Sequence, residues 1–189
     1  MTRFFALALA ALALGACSAT DPDSGIRSGQ AAALAAPAGG GFVLYSLRTD
    51  EIVTDSAATT AWDIGFRGTE IILNGGTSGP GAGVGAVLET PFSAVTDGRL
   101  DDVVFRRDGE SACPVGPPRA VCAGSASGLF AISDDGTVAP VPDRTLVVRL
   151  GDNSGFAKVE ITDYTGDEAG GVYGFRYTAN VTGSSFVEE

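Results

Sequence analysis

The chain has 189 residues, 27 of them glycine and 9 proline: one domain's length, large enough to need no disulfide scaffold and turn-rich enough to expect all-β structure. Asp and Glu number 23 against 12 Lys and Arg, a net charge of −11 that disfavours nucleic acid as a partner. With no histidine, and Met1 as the sole methionine, neither a Ser-His-Asp or Cys-His nucleophile system nor a zinc or iron centre of the usual kind can be assembled, which leaves a binding or structural protein rather than an enzyme.

Met1-Thr2-Arg3 is a short basic start, and Phe4 to Ala13 is an unbroken run of Phe, Ala and Leu. The run is far shorter than the ~20 apolar residues of a membrane span, so residues 1–16 read as a signal peptide. It ends in Leu14-Gly15-Ala16-Cys17, which resembles the bacterial lipobox and implies cleavage before Cys17 and lipidation of its thiol. Two or three acyl chains anchor stably. Ser18 rather than Asp after the cysteine favours the outer membrane, facing the periplasm or the cell surface. Residues 17–40 carry almost no large apolar side chains and read as a lipidated N-terminus and flexible tether, with one or two alanine-rich helical turns over Ser28–Ala36 as the alternative. The domain proper is then 41–189.

From Phe42 onward, short β-branched, aromatic and aliphatic runs alternate with Gly, Asp and Asn. Phe42–Leu47 reads as a buried strand. Trp62, Ile64 and Phe66 alternate with Asp63, Gly65 and Arg67, giving one packed and one wet face on which Asp63 and Arg67 are placed to pair across strands. Thr69–Leu73 follows at hairpin distance, and Val84–Thr90 reads as a further strand. Leu129–Ile132 and Thr137–Val141 flank Ser133-Asp134-Asp135-Gly136, a hairpin turn. Two closing strands follow, one with Ala157, Val159 and Ile161 inward and one with Tyr173, Phe175, Tyr177, Ala179 and Val181 inward. With Cys17 acylated, Cys113 and Cys122 are an even pair in an oxidising compartment and predict a disulfide.

Three motifs in order resemble those of the HmuY-like lipoproteins. They are Thr60-Ala-Trp-Asp-Ile-Gly-Phe-Arg-Gly-Thr-Glu-Ile-Ile-Leu-Asn-Gly-Gly-Thr-Ser-Gly79, then Phe156-Ala-Lys-Val-Glu-Ile161 with Tyr164, and Tyr173-Gly-Phe-Arg-Tyr177. The resemblance implies a single HmuY-like antiparallel β domain with hairpin protrusions that grip a ligand, and a haem-capturing role in iron acquisition with delivery to an outer-membrane transporter. Members of that family hold haem iron through paired histidines or methionines, and the mature chain has neither. Tyr45, Tyr164, Tyr173 and Tyr177 remain as candidate axial ligands, and Arg106 or Arg107 as partners for propionates.

The motif residues themselves read as scaffold: Trp62 as a core aromatic, Asn74-Gly75-Gly76 as a sharp turn, Thr77 and Ser78 as partners for freed backbone groups. Gly79–Gly85 resembles a nucleotide loop only loosely, because Pro80 interrupts it and a strand follows. Asp97–Asp102 and Asp152-Asn-Ser-Gly miss the EF-hand spacing, Asp101 and Asp102 lack the spacing of a carboxylate hydrolase, and Asn180-Val-Thr182 is an incidental sequon. Two functions stand: capture of haem, another tetrapyrrole or a similar flat hydrophobic molecule, or a structural or protein-interaction lipoprotein that kept the scaffold and lost haem binding.

Overall fold

The computed structural model describes residues 25–36, 39–54, 58–97, 100–110, 113, 116–122, 128–167 and 170–183. Eleven strands occur among them, with one 3-10 turn at Phe92–Ala94 and every strand pair antiparallel. A five-stranded sheet runs in the order β1 (Ile26–Ala36), β11 (Gly170–Asn180), β10 (Phe156–Asp167), β9 (Thr145–Arg149), β6 (Gly85–Leu88). A four-stranded sheet is ordered β3 (Glu51–Val53), β2 (Val43–Ser46), β4 (Ile64–Arg67), β5 (Glu70–Leu73), and β7 (Phe130–Ile132) pairs with β8 (Val138–Pro140). The all-β expectation holds. No helix among the described residues is long and apolar enough to cross a membrane.

All three sheets share one core. The inward sides of β10 and β11 supply Ala157, Val159, Ile161, Tyr173, Phe175, Tyr177 and Ala179, as their alternation predicts. Phe66 stacks on Phe175 with ring centroids 5.4 Å apart and leans on Tyr173 at 4.7 Å, joining the two larger sheets. Tyr45 meets Phe175 edge-on at 5.3 Å, and Phe130 of the small hairpin meets Tyr164 at 5.2 Å. Such pairs contribute about 0.5–1.5 kcal/mol each beyond the area they bury. The outer side of the five-stranded sheet is closed by the turn at Phe92–Ala94: the Lys158 ammonium donates to the Phe92 and Val95 carbonyls at 3.1 and 3.0 Å, and Val95 covers Val147.

The stretch expected to be a tether is strand over Ile26–Ala36. Alanine offers little apolar area, but pairing with β11 needs only the backbone, and Leu34 and Ala36 reach the core at 4% and 0% exposure. The all-β body therefore includes Ile26–Ala36 rather than starting at residue 41, and the helical alternative for Ser28–Ala36 is replaced by this edge strand. The signal peptide and Cys17 lie outside the described residues.

One feature of this sheet shapes its surface. The β1–β11 register slips between Ala31 and Leu34, and the β10–β11 register between Ile161 and Asp163, both opposite Gly174 of the uninterrupted middle strand. A side chain at Gly174 would place its Cβ 3.1 Å from Asp163 Cβ and Thr162 Oγ1, so the position suits glycine. A glycine flanked by a bulge on each side bends a sheet. It also changes the inward phase, so that Ala31 and Leu34, and Ile161 and Tyr164, face the core three residues apart.

Candidate functional site

The conspicuous motif is a frame. Trp62 is fully buried, but it packs with Leu44 and Ile72 on the opposite side of the four-stranded sheet from Ile64 and Phe66. β4 starts at Ile64, so the alternation read from Trp62 onward does not extend back across Asp63. Asp63 is not on a wet face and does not pair with Arg67. It is fully buried, accepting the Leu47 N–H at 2.9 Å and the Gly151 N–H at 2.8 Å, with Arg48 Nε at 3.3 Å. Burial pushes its pKa up, while Arg48 and the two N–H donors pull it back. Arg67 instead pairs with Glu70 on its own hairpin, at 3.0 Å.

Asn74 continues the frame. Its Nδ2 donates to the Thr59 and Trp62 carbonyls at 2.9 and 2.8 Å, and its Oδ1 accepts the Gly81 N–H at 3.0 Å. Gly76 sits at φ 61, and a Cβ there would lie 1.9 Å from the Asp108 carbonyl oxygen, so only glycine fits. Asp108 is buried too, accepting the N–H groups of Leu73 and Ala120 at 3.0 and 2.8 Å. Sequence reading missed Arg48 and Asp108, because their partners lie 15 and 35 residues away. Gly81 and Gly83 pack against Asn74, so Gly79–Gly85 is an inner turn of this frame rather than a phosphate cradle.

The four tyrosines do not offer a ligand to a metal. Tyr45 and Tyr177 both donate to Asp50 Oδ1, at 2.6 and 2.8 Å. Tyr173 donates to the Gly68 carbonyl at 2.6 Å, and Tyr164 to the Asp167 carbonyl at 2.6 Å. Burial, with Asp50 beside two of them, raises all four above the ordinary phenol value, which opposes tyrosinate formation. Their donor set does not fit axial ligation of haem iron. Among the described residues no group of three His, Cys, Asp or Glu is placed to hold a metal ion. Arg106 and Arg107 are exposed, and Arg106 takes part in a backbone bridge to Gly85. Asp101 and Asp102 are exposed as well and Asp97 is half-buried, while Asn180 of the sequon is buried, its Oδ1 accepting the Thr182 N–H at 2.9 Å.

Cys113 and Cys122 are joined by a disulfide. The loop it closes is docked on the frame: Ala120 reaches Asp108, Arg119 Nη1 donates to Ser78 Oγ at 3.1 Å, and Val121 enters the core.

A concavity lies elsewhere among the described residues. Between the outer edge of β1, at its bulge, and the β2–β3 hairpin runs an open groove of about 500 Å³ lined by Ala31, Ala32, Ala33, Leu34, Tyr45, Asp50, Glu51 and Ile52. β1 and β3 are each the outermost strand of their sheet. The groove was not legible beforehand, since it needs β1; its single sequence signal is Ile52, a large apolar residue that stays 54% exposed.

No family model matches the chain, and no curated protein does. Among solved structures, a candidate lipoprotein from Bacteroides fragilis aligns over 84% of this chain and 92% of its own, with 14% identity and a TM-score of 0.51. The chain shares that lipoprotein's fold. A candidate HmuY-like haem-binding protein from Bacteroides vulgatus aligns over 87% of this chain and 97% of its own, with 19% identity and a TM-score of 0.47. At 14% identity the likeness to the Bacteroides fragilis lipoprotein is one of fold alone.

Proposed function

We propose that this chain is a binding protein of the cell envelope rather than an enzyme: an HmuY-like lipoprotein, cleaved after Ala16 and anchored through acylated Cys17 in the outer membrane. It captures a flat hydrophobic molecule, of which a tetrapyrrole is the first to test, by its apolar faces and for hand-over to a transporter. The groove beside the β1 bulge carries this reading. Its volume of about 500 Å³ and its wall of Ala31–Leu34, Tyr45 and Ile52 suit a small apolar ligand. The hydrogen-bonded tyrosines argue that no side chain sits on a metal.

The test is an absorbance titration of the chain from Ser18 onward with ferric haem and with iron-free protoporphyrin. Saturable binding of both is expected, with dissociation constants within about threefold, a difference of well under 1.4 kcal/mol. Binding of the ferric form alone would put a side chain on the iron and refute this account. Binding of neither favours the second reading, a structural or protein-interaction lipoprotein that kept the scaffold and lost haem binding, which the absence of His and Met from the mature chain supports.

A further inference from the structure

The groove has a charge sign as well as a shape. Three consecutive alanines of the bulged segment give one smooth wall; Leu34 and Tyr45 form the floor; Ile52 stands opposite, exposed to solvent. Two carboxylates, Asp50 and Glu51, complete the lining, and no lysine or arginine belongs to it. Arg27, on the same strand, has its Nη1 turned to the Arg48 carbonyl at 2.6 Å. Asp50 is held in place by its backbone, at φ 61, and by the Tyr45 and Tyr177 hydroxyls that both donate to Oδ1. Asp tolerates that left-handed conformation better than most residues. The result is an apolar trough with a fixed negative end.

We propose that the groove takes an apolar organic cation, its hydrocarbon body against Ala31–Ala33 and Ile52 and its ammonium or amidinium group beside Asp50 and Glu51. This rests on the capture reading and narrows it. A ligand carboxylate placed at that end of the groove meets the same two acids and is disfavoured, whereas a cation of the same size gains from both.

Two fluorescent tricycles of matched shape separate the possibilities: 9-aminoacridine, a cation at neutral pH, and 9-anthracenecarboxylate, an anion. The cation should bind about tenfold more tightly, a gap of about 1.4 kcal/mol. Glu51→Gln should close most of that gap, and Ile52→Ser should weaken both probes alike; both side chains are exposed, so neither change disturbs the core. Asp134→Asn removes the same unit of charge from an exposed turn remote from the groove in sequence and should leave the ratio unchanged. Equal affinity for the two probes would overturn the cation assignment while leaving capture standing. A ratio that falls equally in Asp134→Asn would reduce the preference to net charge and overturn the groove as its seat. Failure of both tricycles and of both porphyrins to bind would remove the capture reading together with this one.

Discussion

Replacing Asp63 with alanine tests whether the Trp-Asp motif is frame or site. The carboxylate holds two backbone N–H groups, of Leu47 and Gly151, that have no water to turn to, and it does so across 16 and 88 residues of chain. Leaving a buried donor without an acceptor costs about 1–3 kcal/mol, so the two together cost about 2–6 kcal/mol. Arg48 is not stranded, because its Nη1 keeps Asp152 at 2.6 Å and its Nη2 the Thr60 carbonyl, so no further charge penalty is added. Measured against a typical stability of about 5–15 kcal/mol, this is a large fraction. At about 2–4 °C per kcal/mol for a domain of this size, the melting temperature should fall by roughly 4–24 °C. The assay is urea unfolding followed by the emission of Trp62, the single tryptophan, which is fully buried and adjacent. The midpoint should drop with the slope unchanged. Arg67→Ala, which breaks a partly exposed pair with Glu70, should cost about 0–1 kcal/mol in the same assay. A loss below about 1 kcal/mol for Asp63→Ala would show that the two N–H groups find other acceptors, and would refute the assignment of Asp63 as the clasp of the frame.

Gly76→Ala should destabilise by about 3 kcal/mol or more, read by the same unfolding curve, since its Cβ would collide with the Asp108 carbonyl at a left-handed φ; a near-neutral result would mean the turn can reshape. Alkali should unfold the domain cooperatively. Burial raises the phenols of Tyr45, Tyr173 and Tyr177 above their unfolded value of about 10, so their contribution is complete below that pH and is lost as pH climbs above it. Tyrosinate absorbance at about 295 nm should therefore rise together with loss of circular dichroism, and tyrosines titrating near pH 10 in a protein that stays folded would contradict this. Removing the Cys113–Cys122 bridge by double substitution to serine should cost about 2–3 kcal/mol or less, because the closed loop is short. It already contains Pro114, Pro117 and Pro118, which limit what the bridge can remove from the unfolded state. Comparing thermal melts of the parent protein and the double variant measures it.

Much of the fold was legible because local signals and global packing agree. The alternation in β10 and β11, the Asp-Gly turn between β7 and β8 and the apolar run at β2 each state a face or a reversal within a few residues. β1 was not legible. An edge strand is specified by the backbone of its neighbour, and a run such as Gln30-Ala-Ala-Ala-Leu34 has almost no pattern of its own until β11 lies beside it. Asp63 was misread for a related reason: a period-two reading assumes that the strand includes the residue, whereas Asp63 precedes β4 and turns inward to meet Gly151. Tyr173 and Tyr177 were placed correctly on the inward face of a closing strand and Tyr45 in a buried strand, but the hydroxyl partners of the four tyrosines, Asp50 and the Gly68 and Asp167 carbonyls, are contacts that only the folded chain brings together. The groove depended on β1, on the bulge opposite Gly174 and on the hairpin carrying Ile52, three features that no single segment encodes.

β1 also has a mechanical consequence. It is the outermost strand of its sheet, zipped to β11 from Ile26 opposite Asn180 to Ala36 opposite Gly171. Among the described residues, a pull applied from the N-terminal side enters at Gly25, whose carbonyl accepts the Val181 N–H, and runs along this strand. Directed along the strand, tension is shared by the whole ladder in shear; directed away from the sheet, it opens the pairs one after another from Asn180 inward. Ala31–Ala33, one wall of the groove, lie on that same strand a few pairs further in. Peeling that advances so far takes away the wall before it reaches Ala36, the end of the strand that lies in the core.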